Sequence, residues 1–335
     1  VRVAVVARAV AASRPGPPSP PAARDRRRRH GKAHASHRPT TGVTPGVRLR
    51  DGVELELAGG ETVVFDGAGS ADTTVLSHAH GDHFTRGADE VVAAELTAAL
   101  AAERNAGFDA TLVDPPHVDL VDAGHVAGSR AAVVTDPDTG RRTLYTGDCS
   151  TRDRFFLDGF DPPDADELVI ESTYGRPEYV FPPTDQVVAE IRDWLADTMA
   201  RPVVLSGYAL GRAQTLQCVL ADSARTRTFV TDAIADLNAV VAAHCDVAFP
   251  ADRYDPDVEL RPGDALVVPG STGRGWVGTL VDRHDALTAG FSGWAVDDSF
   301  VYRRGLDAGF VLSDHCDFDE LVVVFRAAAP TRVYT

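Results

Sequence analysis

Three imidazoles and a carboxylate are packed into six positions of this chain, in the run Ser77-His78-Ala79-His80-Gly81-Asp82-His83. Histidines two apart on an extended loop can converge on one cation, while the Asp-His pair that follows turns toward a second. Downstream, Gly124-His125 and Gly147-Asp148 each offer a further ligand at the end of a strand-like run, beside a glycine that lets backbone come close. A single histidine is usually a core or surface residue. This spacing predicts metal binding.

Around these residues the pattern is that of short strands. Residues 54–57, 62–65 and 74–77 alternate or run apolar between Gly-Gly and Asp-Gly turns, and the His-rich loop follows directly. A strand over 91–94 and a helix over 97–104 come next. Strands over 131–135 and 143–145 flank Asp136-Pro137-Asp138-Thr139-Gly140, a hairpin signal, and 168–170 reads as a buried strand. Beyond Tyr174 the style changes. Val187, Val188, Ile191, Trp194 and Leu195 share one helical face, 203–205 is a strand, and 212–220 and 233–243 are helical, which predicts a second α/β unit. A strand over 310–312, a helix over 317–327 with Asp317 and Glu320 in capping-box positions, and a strand over 332–334 close the chain.

Composition bounds the rest. The chain has 335 residues, 44% hydrophobic, and no apolar run approaching the roughly 20 residues of a membrane span, so no membrane partner is expected. The net charge of -16 conceals a division: residues 1–40 carry ten cationic side chains against Asp25 alone, and the remainder is strongly acidic. Lys32 is the only lysine, and aspartates far outnumber glutamates. Such a surface suits a halophile, although GC-rich coding would produce a similar bias. Residues 1–46, with a Pro-rich run and the Arg26–Arg29 cluster, read as a disordered basic leader. Cys149, Cys218, Cys245 and Cys316 form no CxxC pair, which fits a reducing cytoplasm, and Cys149 and Cys316 are expected to pack beside the site.

The histidine run, the later His and the later Asp resemble the HxHxDH pattern of the metallo-β-lactamase fold. Three further segments narrow the resemblance to its nucleic-acid-processing β-CASP branch: Glu171-Ser172-Thr173-Tyr174-Gly175, Leu312-Ser313-Asp314-His315-Cys316-Asp317, and Tyr208-Ala209-Leu210-Gly211-Arg212-Ala213-Gln214. The resemblance runs from about residue 47 to the end. It implies an α/β fold, an αββα sandwich with an inserted β-CASP cap: a first part over 47–177, a cap over 178–300 and a return over 301–335. It further implies that His78, His80 and His125 hold one zinc, that Asp82 and His83 hold a second, and that Asp148 bridges. Asp66 would orient a ligand from behind, or serve simply as a turn residue before Gly67. Glu171 would hold His315 cationic and aimed to protonate the leaving oxygen. Asp82, Glu171 and His315 thus form the expected reacting set.

Arg212 opens a helix beside a Gly turn, where it could bind substrate phosphate or lie on the surface. Gly270-Ser271-Thr272-Gly273-Arg274-Gly275 lacks the lysine of a P-loop and reads as a loop, and His117, His244 and His284 stand outside every motif. The family pattern also places one more histidine after the last strand. None follows His315, so the chain is expected to be incomplete at its C-terminus, with the second zinc short of a ligand and the last strand without its continuation, exposing core on that side. The implied activity is two-zinc cleavage of single-stranded RNA in 3′-end processing or decay, and a homodimer is compatible with it. Three alternatives stay open: a DNA exonuclease of repair, a non-nuclease metallo-hydrolase, and a catalytically impaired scaffold.

Overall fold

The computed structural model describes residues 2–4, 46–67, 71–84 and 87–335. Most of the basic leader lies outside the described residues. Arg2–Ala4 is an exception, pairing in parallel with Arg332–Tyr334 as the edge of a six-stranded sheet, so the last strand has a neighbour on each side.

That sheet continues through Glu167–Val169, Arg142–Tyr145, Arg130–Thr135 and Val118–Asp122. A four-stranded sheet of Gly46–Arg50, Gly52–Glu56, Thr62–Phe65 and Thr73–Val75 faces it. Alternation sends Leu55, Val63, Phe65 and Val75 from one sheet, and Ala132, Val134, Tyr145 and Val169 from the other, into one shared core. The helix Phe318–Ala328 covers the opposite face of the larger sheet with Leu321, Val324 and Ala328. Its start is fixed as expected: Asp317 Oδ1 accepts from the Glu320 N–H at 2.9 Å, and Glu320 Oε2 accepts from the Asp317 N–H at 2.8 Å.

A separate, wholly parallel sheet has the order Asp252–Arg253, Arg227–Val230, Asp264–Pro269, Val203–Gly207, Leu287–Phe291, Ala308–Phe310. Its central strands Val203–Gly207 and Asp264–Pro269 carry buried apolar runs because helices cover both faces, while the edge strand Asp252–Arg253 is charged and exposed. Thr184–Asp197 and Arg212–Ala221 pack on one side; Arg274–His284 packs on the other. Chain connections diverge from the central strand Val203–Gly207, so the loop after it opens at the topological switch point of the sheet, where α/β folds receive ligands.

Several expectations shift. Ala308–Phe310 belongs to this parallel sheet, so the chain leaves it only after Phe310, later than residue 300. Residues 270–275 are not wholly loop: a helix starts at Arg274, driven by the apolar spacing of Val277, Leu280 and Val281 despite two internal glycines. The strand expected over 91–94 shrinks to Glu90–Val91, because the helix Glu95–Arg104 begins early. Among the described residues no helix is long and apolar enough to cross a membrane.

Candidate metal centre

The histidine loop leaves the strand Thr73–Val75 and is held from beneath by Asp66. Asp66 takes φ 48°, a left-handed conformation that aspartate tolerates, and thereby turns its buried carboxylate under the loop. One oxygen accepts from the Ser77 backbone N–H at 2.7 Å. The other accepts from the Ser77 hydroxyl at 2.6 Å, the Tyr145 hydroxyl at 2.8 Å and His83 Nδ1 at 2.8 Å.

These bonds, with two more, decide which nitrogen each imidazole turns inward. The Ser77 hydroxyl donates to Asp66 and so accepts from His78 Nδ1 at 2.9 Å, leaving His78 Nε2 unprotonated. His80 Nε2 donates to the Leu210 carbonyl at 3.1 Å, and His125 Nδ1 donates to the Asp314 carbonyl at 2.8 Å. His80 Nδ1 therefore sits 3.1 Å from His78 Nε2 and 3.2 Å from His125 Nε2, all three bearing lone pairs. Burial, reinforced by the neighbouring imidazoles, drives the pKa values of His78 and His125 well below the ordinary histidine range, and burial lowers that of His80 to about 4.

Three converging lone pairs with no proton between them repel one another unless a cation joins them. Asp148 Oδ2 completes the set at 3.6 Å from His78 Nε2 and 3.7 Å from His125 Nε2. Tetrahedral zinc with bonds of about 2.0–2.1 Å spaces its ligands by roughly 3.3–3.4 Å, close to what these four atoms show. Glycine makes the approach feasible: at Gly124, φ 68°, a Cβ would lie 2.2 Å from the Ser150 carbonyl, and at Gly147, φ 54°, 2.7 Å from Ser77 Oγ.

His83 approaches the same oxygen of Asp148, with its ring centre 4.1 Å from that of His78. His83 Nε2 lies 3.5 Å from Asp148 Oδ2 and 3.9 Å from Asp82 Oδ2. Burial opposes protonation of His83, but Asp148 and Asp66 outweigh it and raise the pKa to about 10. A cation held by Asp82, His83 and Asp148 would take the place of that proton. Of the six expected ligands, His78, His80, His125 and Asp148 bring their donor atoms within 4.8 Å of one another, His83 gathers with Asp66 and His78 and also approaches Asp148, and Asp82 stands at the exposed margin beside His83.

Beside them, His315 Nδ1 is 2.9 Å from Glu171 Oε2 and 3.0 Å from Oε1. Glu171 is itself fixed by the Cys149 N–H at 2.8 Å and the Thr173 hydroxyl at 2.6 Å. Burial works against the cationic ring, yet Glu171 and then Asp148 raise the His315 pKa to about 9. Cys149 and Cys316 pack behind this pair with their sulfurs 3.8 Å apart.

Arg212 is not presented to a phosphate. It is buried, its Nη1 donating to the Phe291 carbonyl at 2.8 Å and its Nη2 to Asp314 Oδ2 at 2.8 Å. The reason is Asp314, which lies 102 residues downstream and draws the guanidinium inward. The other oxygen of Asp314 takes Arg154 Nη1 at 3.2 Å, and Arg154 Nη2 reaches the carbonyls of Gly124 and His125. This buried Arg154–Asp314–Arg212 clamp holds the backbone on both sides of His125. Sequence reading missed Arg154, which carries no motif, and Arg104, which lines the cleft near Asp82. The cleft above the cluster encloses 640 Å³ and runs from the four-stranded sheet to Tyr208 and Trp294 of the second unit.

No protein-family model matches the sequence. The chain is 34% identical, over 78% of its length, to a "Probable DNA ligase" of Opitutus terrae, of which it spans 26%. It is 33% identical over 32% of its length to "Transcription termination factor FttA" of Methanothermobacter thermautotrophicus, spanning 18% of it. To an "RNase J-like protein" of Methanocaldococcus jannaschii it is 32% identical over 29% of its length, spanning 24%. A crystal structure of a protein of unknown function from Enterococcus faecalis V583 shares the fold over 80% of this chain and 77% of that one, at a TM-score of 0.52 and 12% identity.

Proposed function

We propose that the chain is a two-zinc phosphodiesterase of the metallo-β-lactamase fold with a β-CASP cap, cleaving single-stranded nucleic acid. The observation that carries this reading is the placement of the Glu171–His315 pair against Asp148, at the floor of an open cleft, beside a donor set suited to zinc. Hydrolysis of an activated acyl bond gains little from such a pair, whereas departure of an alkoxide from a phosphodiester is accelerated by a positioned general acid.

His78, His80, His125 and Asp148 would hold one ion, and Asp82, His83 and Asp148 the other. When bound, such a pair supplies an acidified water and neutralises charge on the attacked phosphoryl oxygens. The chain's own residues do the rest. Asp66 keeps His83 and Ser77 in place, the Arg154–Asp314–Arg212 clamp keeps His125 in place, and Glu171 holds the His315 ring protonated and aimed until it delivers its proton to the leaving oxygen, which leaves the ring neutral. The open cleft leaves room for a strand and offers Arg104 to its phosphates.

DNA is the favoured substrate. The similarity to a ligase covers 78% of this chain, whereas those to the termination factor and the RNase J-like protein cover 32% and 29%. Those two shorter similarities support the RNA reading as the second one. Matched end-labelled DNA and RNA strands of one sequence, incubated with zinc or with chelator, test both. Faster chelator-sensitive loss of the DNA strand supports the first reading, and faster loss of RNA the second; cleavage of neither strand contradicts the nuclease assignment.

A further inference from the structure

We propose that Tyr208 and Trp294 are nucleobase-stacking faces that bracket the metal cluster and thread a single strand through the cleft. This rests on the nuclease reading above and adds to it the residues that would grip the bases.

Both rings come from the switch-point edge of the parallel sheet. Val203–Gly207 and Leu287–Phe291 are adjacent parallel strands, and Tyr208 and Trp294 follow their C-terminal ends by one and three residues. Arg212 ties the two loops together through its bond to the Phe291 carbonyl and carries the Tyr208 ring 5.7 Å from its guanidinium carbon. Trp294 is seated on Tyr174, with ring centres 4.8 Å apart, and on Tyr179 at 4.9 Å. Glycine at 293 permits this, since a Cβ there would stand 2.4 Å from both Tyr174 and Phe181.

Their positions relative to the chemistry are set by a row of rings. Tyr208 lies 5.8 Å from His80, His80 5.0 Å from His125, and His125 4.5 Å from His315; His315 then lies 6.1 Å from Tyr174, on which Trp294 rests. One ring is thus at the ligand end of the site and the other at the acid end. Both line the cleft and both are open to solvent, Tyr208 at 62% and Trp294 at 41%, whereas Tyr174 beneath is at 3%. Solvent-open aromatic faces along a cleft are what sequence-tolerant binding of unpaired bases uses, because every base has a π-face. The acidic body offers little else to hold a polyanion, with Arg104 as the one arginine or lysine lining this cleft among the described residues.

The test uses the zinc-loaded chain and oligonucleotides carrying a single abasic site at successive positions. Tyr208→Ala should lower kcat/KM on the intact strand by about 5- to 150-fold, the range for one lost stacking contact, while Tyr208→Phe keeps most of it. At one abasic position the wild type should drop by a similar factor, and the Ala variant should lose nothing more there. Trp294→Ala should show the same pattern at a position on the other side of the cleaved bond. In parallel, a strand carrying 2-aminopurine should be quenched on binding to the metal-free protein, and less so by the Tyr208→Ala variant. Equal cleavage by Tyr208→Ala and wild type, or additive losses at every abasic position, would overturn the proposal. If the wild type cleaves no phosphodiester, the nuclease reading fails, and the quenching still decides whether the rings bind bases.

Discussion

The Nε2 atom of His80 donates to the carbonyl of Leu210 across 3.1 Å and 130 residues, so an imidazole of the candidate metal cluster in one unit has its tautomer set by a turn of the other. That bond turns His80 Nδ1 toward the cluster, as outer hydrogen bonds to metal-bound histidines commonly do. The turn depends on Gly211, whose φ of 98° an L-residue rarely adopts and whose Cβ would meet Val126 Cγ1 at 2.5 Å.

Gly211→Ala should therefore loosen the site without removing any ligand. Strain of about 1–3 kcal/mol is expected in the turn, and zinc affinity should fall by about 10- to 100-fold, the usual effect of a lost supporting contact. Competition with a chromophoric chelator measures it. Unchanged affinity would mean that Leu210 does not orient His80.

The two donor groups should differ in strength. Three buried, unprotonated imidazoles with Asp148 offer a closed set, while Asp82, His83 and Asp148 must first displace a proton from His83. Titration of metal-free protein should show one tight zinc and a weaker second whose affinity rises with pH. His80→Ala should abolish the tight step, and Asp148→Ala should weaken both. Two equal, pH-independent steps would contradict this assignment.

His315→Ala should keep its zinc and lose about 10²- to 10⁴-fold in cleavage, as expected for a missing general acid. An acid must be protonated to act, so wild-type activity should decline as pH rises past the His315 pKa. Burial opposes the ring's charge and Glu171 is the main group that favours it, so Glu171→Gln should move that alkaline limb to lower pH. The expected displacement is about one to three units, the effect of one close opposite charge. A limb that stays in place would assign it to another group.

Asp314→Ala should destabilise the protein more than loss of a surface acid. It leaves Arg154 and Arg212 buried without their shared counter-charge, at a cost of about 3–5 kcal/mol in urea unfolding. A change below about 1 kcal/mol would show that the clamp contributes little.

How much of this was legible in the sequence follows from how local each signal is. The histidine loop and its flanking strands could be read because their spacing is short-range. The helix start at Asp317 could be read because its cap residues are three apart. The Glu171–His315 pair was legible only from the order of motifs, since 143 residues separate the two. Arg212 was misjudged because a helix N-terminus beside glycine looks open to anions, and nothing near it in sequence announces Asp314. Arg154 gave no signal, because a lone arginine is read as solvated until the carbonyls around it are seen. Arg2–Ala4, within a leader read as disordered, pairs through backbone hydrogen bonds, which leave little trace in residue type.

The most direct test of the central claim is the single-turnover cleavage rate of an end-labelled single DNA strand, measured as zinc is returned stepwise to metal-free protein. No cleavage is expected without metal, little with the first equivalent, and a rise to full rate as the second, weaker site fills, all lost in the zinc-replete His315→Ala variant. Full-rate cleavage by the metal-free chain, or by His315→Ala, would contradict that claim.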